Sequence, residues 1–216
     1  MTVYELKPTD QWNYSWTVSG LDSFAGISAS GAITSAYASI FGGFGNTVSA
    51  QHSGVFGGLY GLGYQYGQIA RASGRFASNG DCQTSDMVAR VATSNATPTN
   101  LYLDGSSARL TVAANSTGRC TIRFVSRSNT ATGYWATGDR CVSWTRGVLA
   151  STTAISAIDT IGTDRGSNAG AWPAGMALTI TADTTNGAID IQVTGITATN
   201  LRNMVSISDF AEVTFA

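Results

Sequence analysis

The tripeptide Phe-Gly-Gly occurs at Phe41–Gly43 and again at Phe56–Gly58, 15 residues apart, inside a glycine-crowded stretch from Ser39 to Gly80. Glycine at that density rules out a stable helix, because each one costs about 1 kcal/mol against alanine in a helix interior. The patterned spacing also rules out a plain linker. A repeat this short cannot enclose its own apolar side chains, so it must lean on neighbouring coils or neighbouring chains. The residues therefore point to a self-associating β-structured assembly. Phe41, Phe56 and Phe76 are expected as inward plugs, and Gly42, Gly43, Gly57 and Gly58 as corners.

Charge usage agrees with strands and turns. Charged residues make up 12% of the 216 residues while hydrophobic ones keep an ordinary 43%. The usual charged share is about 25%, and disorder would pair low hydrophobicity with high charge. Lys7 is the only lysine, and Glu5 and Glu212 are the only glutamates. Exposed helices are usually decorated with those two residue types, so exposed helices are expected to be scarce. A net charge of −1 and a pI near 5.7 give no basic footprint for nucleic acid.

Three regions are expected: an attachment segment over 1–30, a glycine-rich repeat over 31–80 forming a β-roll or an intertwined shaft, and an antiparallel β-sandwich over 81–216. In the first, Trp12, Tyr14 and Trp16 alternate with Asn13 and Ser15, which suits a strand with one aromatic face. In the third, Asp104-Gly105 and Asn186-Gly187 are hairpin signals between apolar runs. The run Arg119–Arg127 alternates cleanly, with Cys120, Ile122 and Phe124 on one face and Arg119, Arg123 and Arg127 on the other. Some seven to nine short strands separated by turn signals suit a sandwich or barrel. The N-terminus lacks the charged start and apolar core of a secretory signal. No apolar run approaches the ~20 residues of a membrane helix. A soluble protein made in a cytoplasm, with no membrane insertion, is expected.

Few residues suggest chemistry. Cys82, Cys120 and Cys141 are widely spaced, with no C-x-x-C and no Cys/His cluster, so zinc is excluded by spacing and buried free thiols are expected. His52 is the only histidine and lies within the repeat, where a structural polar role is expected. There is no P-loop and no G-x-S-x-G elbow. Asp139, Asp159, Asp164 and Asp183 are the candidates for paired glycosidase carboxylates, but each sits in a turn-like context. The expectation is a protein without cofactor, metal or catalytic residues. The arginine row of Arg119, Arg123 and Arg127, with Arg109, Arg140 and Arg146 nearby, is expected to pair across subunits with Asp104, Asp139 or Asp190. Display on the surface or a grip on acidic sugars are its other readings. Trp135, Trp144 and Trp172 are candidate anchors or sugar platforms, with Trp172, just before Pro173, the best placed for exposure.

Two stretches resemble bacteriophage virion proteins. The run G-N-T-V-S-A-x-x-S-G-V-F-G-G from Gly45, followed by A-S-G-R-F-A at Ala72–Ala77, is similar to the repeats of trimeric phage fibres and adhesin β-rolls. The ordered motifs at Gly74–Arg90, Ala96–Gly105 and Leu178–Gly195 resemble the carboxy-terminal domain of phage tail fibres. The resemblance implies an all-β, homotrimeric virion protein ending in a jelly-roll-like knob. It would be joined to other virion proteins by its N-terminal segment and would engage a host surface glycan. A capsid decoration or head-fibre protein, and a carbohydrate-binding or carbohydrate-cleaving module, are the alternatives.

Overall fold

The structure is a computed structural model that describes residues 15–20, 22–25, 30–129 and 133–215. The attachment segment expected over 1–30, including Trp12 and Tyr14, lies mostly outside these residues.

The described residues between Ser15 and Ser73 form a β-solenoid whose paired strands are offset by 15 residues, the spacing of the Phe-Gly-Gly repeat. The strands β1 (Ser15–Val18), β3 (Ser30–Ile33), β5 (Asn46–Val48) and β7 (Leu62–Gly63) form one parallel sheet. The intervening strands β2 (Phe24–Ala25), β4 (Ser39–Ile40), β6 (Gly54–Leu59) and β8 (Ile69–Ser73) form the other wall. Ser15 pairs with Ser30, Gly31 with Asn46 and Thr47 with Leu62 on one side; Phe24 pairs with Ser39, Ser39 with Gly54 and Gly54 with Ile69 on the other. Between the walls lies a narrow core of Ile33, Ala38, Ile40, Val48, Val55 and Ala70. Burying each of the larger ones is worth about 1.5–3 kcal/mol. The coils thus close over an interior supplied by one chain, and the expected intertwining of this region with other copies is corrected on that ground.

Side-chain amides seal the stack. Asn46 donates through Nδ2 to the carbonyl of Gly42 at 2.8 Å and accepts from the Gly61 N–H through Oδ1 at 2.7 Å. At the far end Gln83 grips Leu62, accepting from its N–H at 2.9 Å and donating to its carbonyl at 3.0 Å. Gln83 belongs to β9 (Cys82–Thr93), which pairs antiparallel with β8.

Through that pairing one wall of the solenoid runs on into long antiparallel strands. These are β12 (Ser116–Ser128), β13 (Trp135–Arg146), β14 (Ala154–Gly166) and β17 (Leu201–Thr214), and the continuous sheet has the order β14-β13-β12-β17-β9-β8-β6-β4-β2. A small sheet covers its inner face: β10 (Thr99–Asn100) and β11 (Leu110–Thr111) both pair with β16 (Ala188–Thr194), which also pairs with β15 (Ala177–Asp183). Leu101, Leu103, Val112, Ile189 and Val193 from the covering part pack on Ile122, Phe124, Trp144, Ile207 and Phe210.

The all-β class agrees with expectation; the jelly-roll-like antiparallel sandwich knob does not. The chain is a β-solenoid of stacked parallel coils with mixed sheets. The physical reason is the β8–β9 pairing, which makes the strands after Asp81 an extension of the solenoid wall. The turn at Asp183–Gly187 joins β15 to β16 as expected. The turn at Asp104-Gly105 also forms, with the Gly105 N–H donating to Tyr102, but the flanking strands pair with β16 instead of with each other.

Candidate functional site

Rings occupy the outside of the solenoid. Phe24, Phe41 and Phe56 form an exposed column, at 58%, 52% and 59% exposure, with centroids 6.2 and 4.7 Å apart. Phe76, the third expected plug, is more exposed still, at 76%. The inward-plug expectation is therefore corrected for all three residues. Strand alternation gives the cause: Ile40 and Val55 point inward, so Phe41 and Phe56, next in line, point out. The Phe41 and Phe56 rings lie at only 22° to one another. Stacking consumes their flat faces and leaves edges to solvent, a poor platform for a sugar ring. His52 belongs to a second column, 5.0 Å from Tyr37 and 5.0 Å from Tyr66. A third joins Phe44 to Tyr60, with the Arg75 guanidinium 3.9 Å above the Tyr60 ring. These columns bind successive coils together.

The outer face of the large sheet carries the arginine row. Arg119, Arg123 and Arg127 project from it, while Cys120, Ile122 and Phe124 face the core, as the alternation predicts. Three cross-strand rows define this face. The first is Trp135–Arg127–Arg202–Ala92, the second Arg165–Thr137–Val125–Met204–Arg90, and the third Ile161–Asp139–Arg123–Ser206–Val88. The first two rows hold four arginines and no acid. Arg123 donates to the Ser208 hydroxyl at 2.5 Å, Arg119 to the Cys141 sulfur at 3.1 Å, and Arg90 to the carbonyl of Asp104 at 2.8 Å. Of the partners expected for the row, Asp139 lies opposite Arg123, while Asp190 and Asp104 are engaged within the chain. Asp190 pairs with Arg109 at 2.8 Å, and Arg140 turns to Asp164 through two contacts of 2.7 and 2.6 Å. Asp104 accepts the N–H groups of Ser106, Ser107 and Ala108. Against desolvation, those donors hold its pKa down to about 2. Arg146 reaches the carbonyls of Val112 and Gly187.

The tryptophans divide. Trp144 is fully buried and stacked on Phe210 at 4.6 Å. Gly118 lies opposite, where a Cβ would come within 2.3 Å of the indole, so the missing side chain makes room for the ring. Trp172 is half-buried, donating its indole N–H to the carbonyl of Thr137 at 2.8 Å and packing on Phe124 at 5.2 Å. Of these three tryptophans only Trp135, at 38% exposure, lies on an open face, and that face is the arginine one.

Sequence reasoning placed Arg109 and Asp190 among the partners expected across subunits and missed that they meet within one chain, with Asp183 as a second carboxylate. Arg109 contacts Asp183 at 2.9 Å and Asp190 at 2.8 Å, with Tyr102 5.7 Å from the guanidinium. Despite desolvation, Asp183 is held below its ordinary value by Asn186, Thr185 and Arg109. Asp190 is raised, by desolvation and then by the charge of Asp183. Both lie on strands that the Asn186-Gly187 turn brings side by side, which was the available signal. The three cysteines are free as expected, but only Cys120 is buried; burial pushes its thiol up to about 12. Among the described residues no three His, Cys, Asp or Glu side chains gather as a metal site, and no helix is long and apolar enough to cross a membrane.

Against this geometry, similarity to known proteins is structural only. No family model and no curated protein sequence matches the chain. The tailspike protein of Acinetobacter phage vB_ApiP_P1 matches at a TM-score of 0.30 and 9% identity, over 91% of this chain and 42% of the tailspike. The tailspike of Acinetobacter baumannii phage AM24 matches at 0.27 and 11%, over 85% and 43%. Tailspike gp49 of Acinetobacter baumannii bacteriophage Fri1 matches at 0.31 and 9%, over 86% and 36%. The chain thus spans about two fifths of the length of these tailspikes. At such TM-scores the fold assignment rests on the strand pairing described above. The Fri1 protein is described as a capsular polysaccharide depolymerase, in conflict with the expectation of a non-enzymatic chain, and that expectation is withdrawn.

Proposed function

We propose that this chain is a structural subunit of a bacteriophage tail appendage that attaches the particle to the host surface, and that its copies associate as a homotrimer along the solenoid. The observation that carries self-association is the Phe24–Phe41–Phe56 column: three exposed apolar rings in contact on one wall of the solenoid. Contiguous exposed apolar patches mark interaction surfaces on soluble proteins. The column belongs to stacked coils with a complete interior of their own, so its rings remain available to a neighbouring copy. The free edge of β14, at the opposite end of the nine-stranded sheet and exposed along most of its length, offers unpaired backbone groups as a second contact. The virion assignment draws on the repeat and motif resemblance.

The test is mass. Light scattering at micromolar concentration is expected to give three chains for the unaltered protein and one for a Phe41→Ser/Phe56→Ser double variant. A single-chain mass for the unaltered protein would sink the reading. Labelling on intact particles separates a tail position from a capsid one.

Cleavage of the host polysaccharide is a second reading, favoured by Asp183 and Asp190. Two carboxylates share one arginine and are displaced in opposite directions, Asp183 downward and Asp190 upward, so the two acids differ in basicity as an acid and its partner in glycoside cleavage must. Incubation with host surface polysaccharide is expected to shorten the polymer, and Asp190→Asn to stop the shortening. Shortening by Asp190→Asn at the unaltered rate removes this pair from consideration.

A further inference from the structure

We propose that the outer sheet face around Arg127, Arg202, Arg165 and Trp135 binds an acidic polysaccharide, a polymer of sugar rings bearing carboxylates. The inference rests on the host-attachment reading and supplies its ligand class. Arg127 and Arg202 sit directly opposite one another on β12 and β17. Like charges in that position, about 5 Å apart, destabilise a sheet. Three other arginines are neutralised, Arg71 by Asp86, Arg109 by Asp183 and Asp190, and Arg140 by Asp164, while Arg90, Arg119, Arg123 and Arg146 spend their guanidinium donors on neutral groups. Among the described residues, Arg127, Arg165 and Arg202 make no ion pair and no side-chain hydrogen bond. The acids of the same face are set apart along the strands, with Asp139 one row beyond and Asp159 further along β14. A chain with net charge −1 has thus gathered uncompensated positive charge at one end of one face.

The surroundings select among anions. Trp135 flanks Arg127 in its row, and Val125 and Met204, at 44% and 40% exposure, lie in the next row between Arg165 and Arg90. An isolated phosphate or sulfate has no use for that apolar floor, whereas a sugar ring can lay its C–H face on it. Guanidinium forks suit carboxylates through paired N–H donors. Cations spread over four strands suit anions that recur along a polymer. The face is open, with Trp135, Val125 and Met204 exposed along it, which fits a chain lying across it. The contacts are solvent-exposed and weak singly, so several copies on one particle would multiply them.

The test uses the full chain and sodium alginate, a polyuronic acid, in affinity electrophoresis, with dextran as the neutral polymer and duplex DNA as a non-sugar polyanion. Alginate is expected to retard the protein and dextran and DNA not to, with retardation fading as salt rises from about 50 to 300 mM. The Arg127→Ala/Arg202→Ala variant is expected to lose tenfold or more in affinity while its melting temperature stays level or rises, since a like-charge pair has gone. Arg71→Ala, which removes a cation already paired with Asp86 on the solenoid, is expected to bind as before. Unchanged alginate binding by the double variant overturns the proposal, as does equal retention by DNA or no binding at all. A double variant with altered mass overturns it too, because the face would then be a contact between subunits. Failure here with a three-chain mass intact leaves the appendage reading standing.

Discussion

Gly58→Ala is expected to unfold the solenoid or to cost it about 3 kcal/mol or more, whereas Gly67→Ala costs about 1 kcal/mol. Both glycines lie in the left-handed region, at φ +88° and +66°. Both substitutions therefore pay the conformational cost of a Cβ there. The difference is what the Cβ meets. At Gly67 nothing lies within 4 Å; at Gly58 the carbonyl oxygen of Ala72, on the next coil, lies at 2.0 Å. Gly43, one coil earlier, has the same problem with Gly58 itself, whose carbonyl lies 2.1 Å from the imagined Cβ. The Gly58 carbonyl is also fixed by the Phe44 N–H at 2.9 Å and Asn46 Nδ2 at 3.3 Å, so the coil cannot shift aside without losing those bonds. Urea denaturation of the two variants side by side checks this. Equal losses would show that the coils have slack and that close stacking is not what the repeat requires.

That column of glycines was visible in the sequence as the 15-residue repeat, and the period survives in every register pair of the solenoid before the irregularity after Val55. What the period could not say was which residues face inward. Phe41 and Phe56 are the largest apolar residues of the repeat, which suggested plugs. A coil this narrow instead takes Ile40 and Val55 inside and puts the rings outside, where they stack coil on coil. Alternation between each pair of neighbours held the answer. In the later strands the same alternation placed Arg119, Arg123 and Arg127 on one outer face without help from the structure. The pairing of β8 with β9 left no local trace, because it depends on partners such as Ile69 and Asp86 that nothing in composition links. Hence the strands were legible while the continuity of the sheet was not. The opposition of Arg127 to Arg202 is likewise a product of register between strands some 75 residues apart.

Glu212 marks the place where the two halves of that sheet are locked, and its replacements are expected to separate hydrogen bonding from charge. The side chain is buried, with Oε2 accepting from the Tyr64 hydroxyl at 2.7 Å and Oε1 from the Ala113 N–H at 2.7 Å. Tyr64 follows β7, the last strand of the four-stranded parallel sheet, Ala113 lies just beyond β11, and Glu212 is on β17, so one carboxylate joins solenoid, cover and sheet. Glu212→Ala leaves both donors without an acceptor, at about 1–3 kcal/mol each, and is expected to cost about 2–5 kcal/mol in all. Glu212→Gln keeps both contacts, its amide oxygen accepting from the Ala113 N–H and its amide nitrogen donating to the Tyr64 hydroxyl, which turns to accept. Burial raises the carboxyl pKa above its ordinary 4.5. Between 4.5 and that raised value the native state holds more protons than the unfolded one, so the stability from the protonated form falls away as pH rises through the window. Glu212→Gln keeps the bonds and has no proton to lose. Its stability is expected to stay flat across that window and, above it, to equal or exceed that of the unaltered protein. Urea midpoints measured at steps from about pH 4 to 8 decide the matter. If Glu212→Gln is as damaged as Glu212→Ala at neutral pH, the negative charge itself holds the junction, through Arg146, and the hydrogen-bond account of how solenoid and sheet are joined fails.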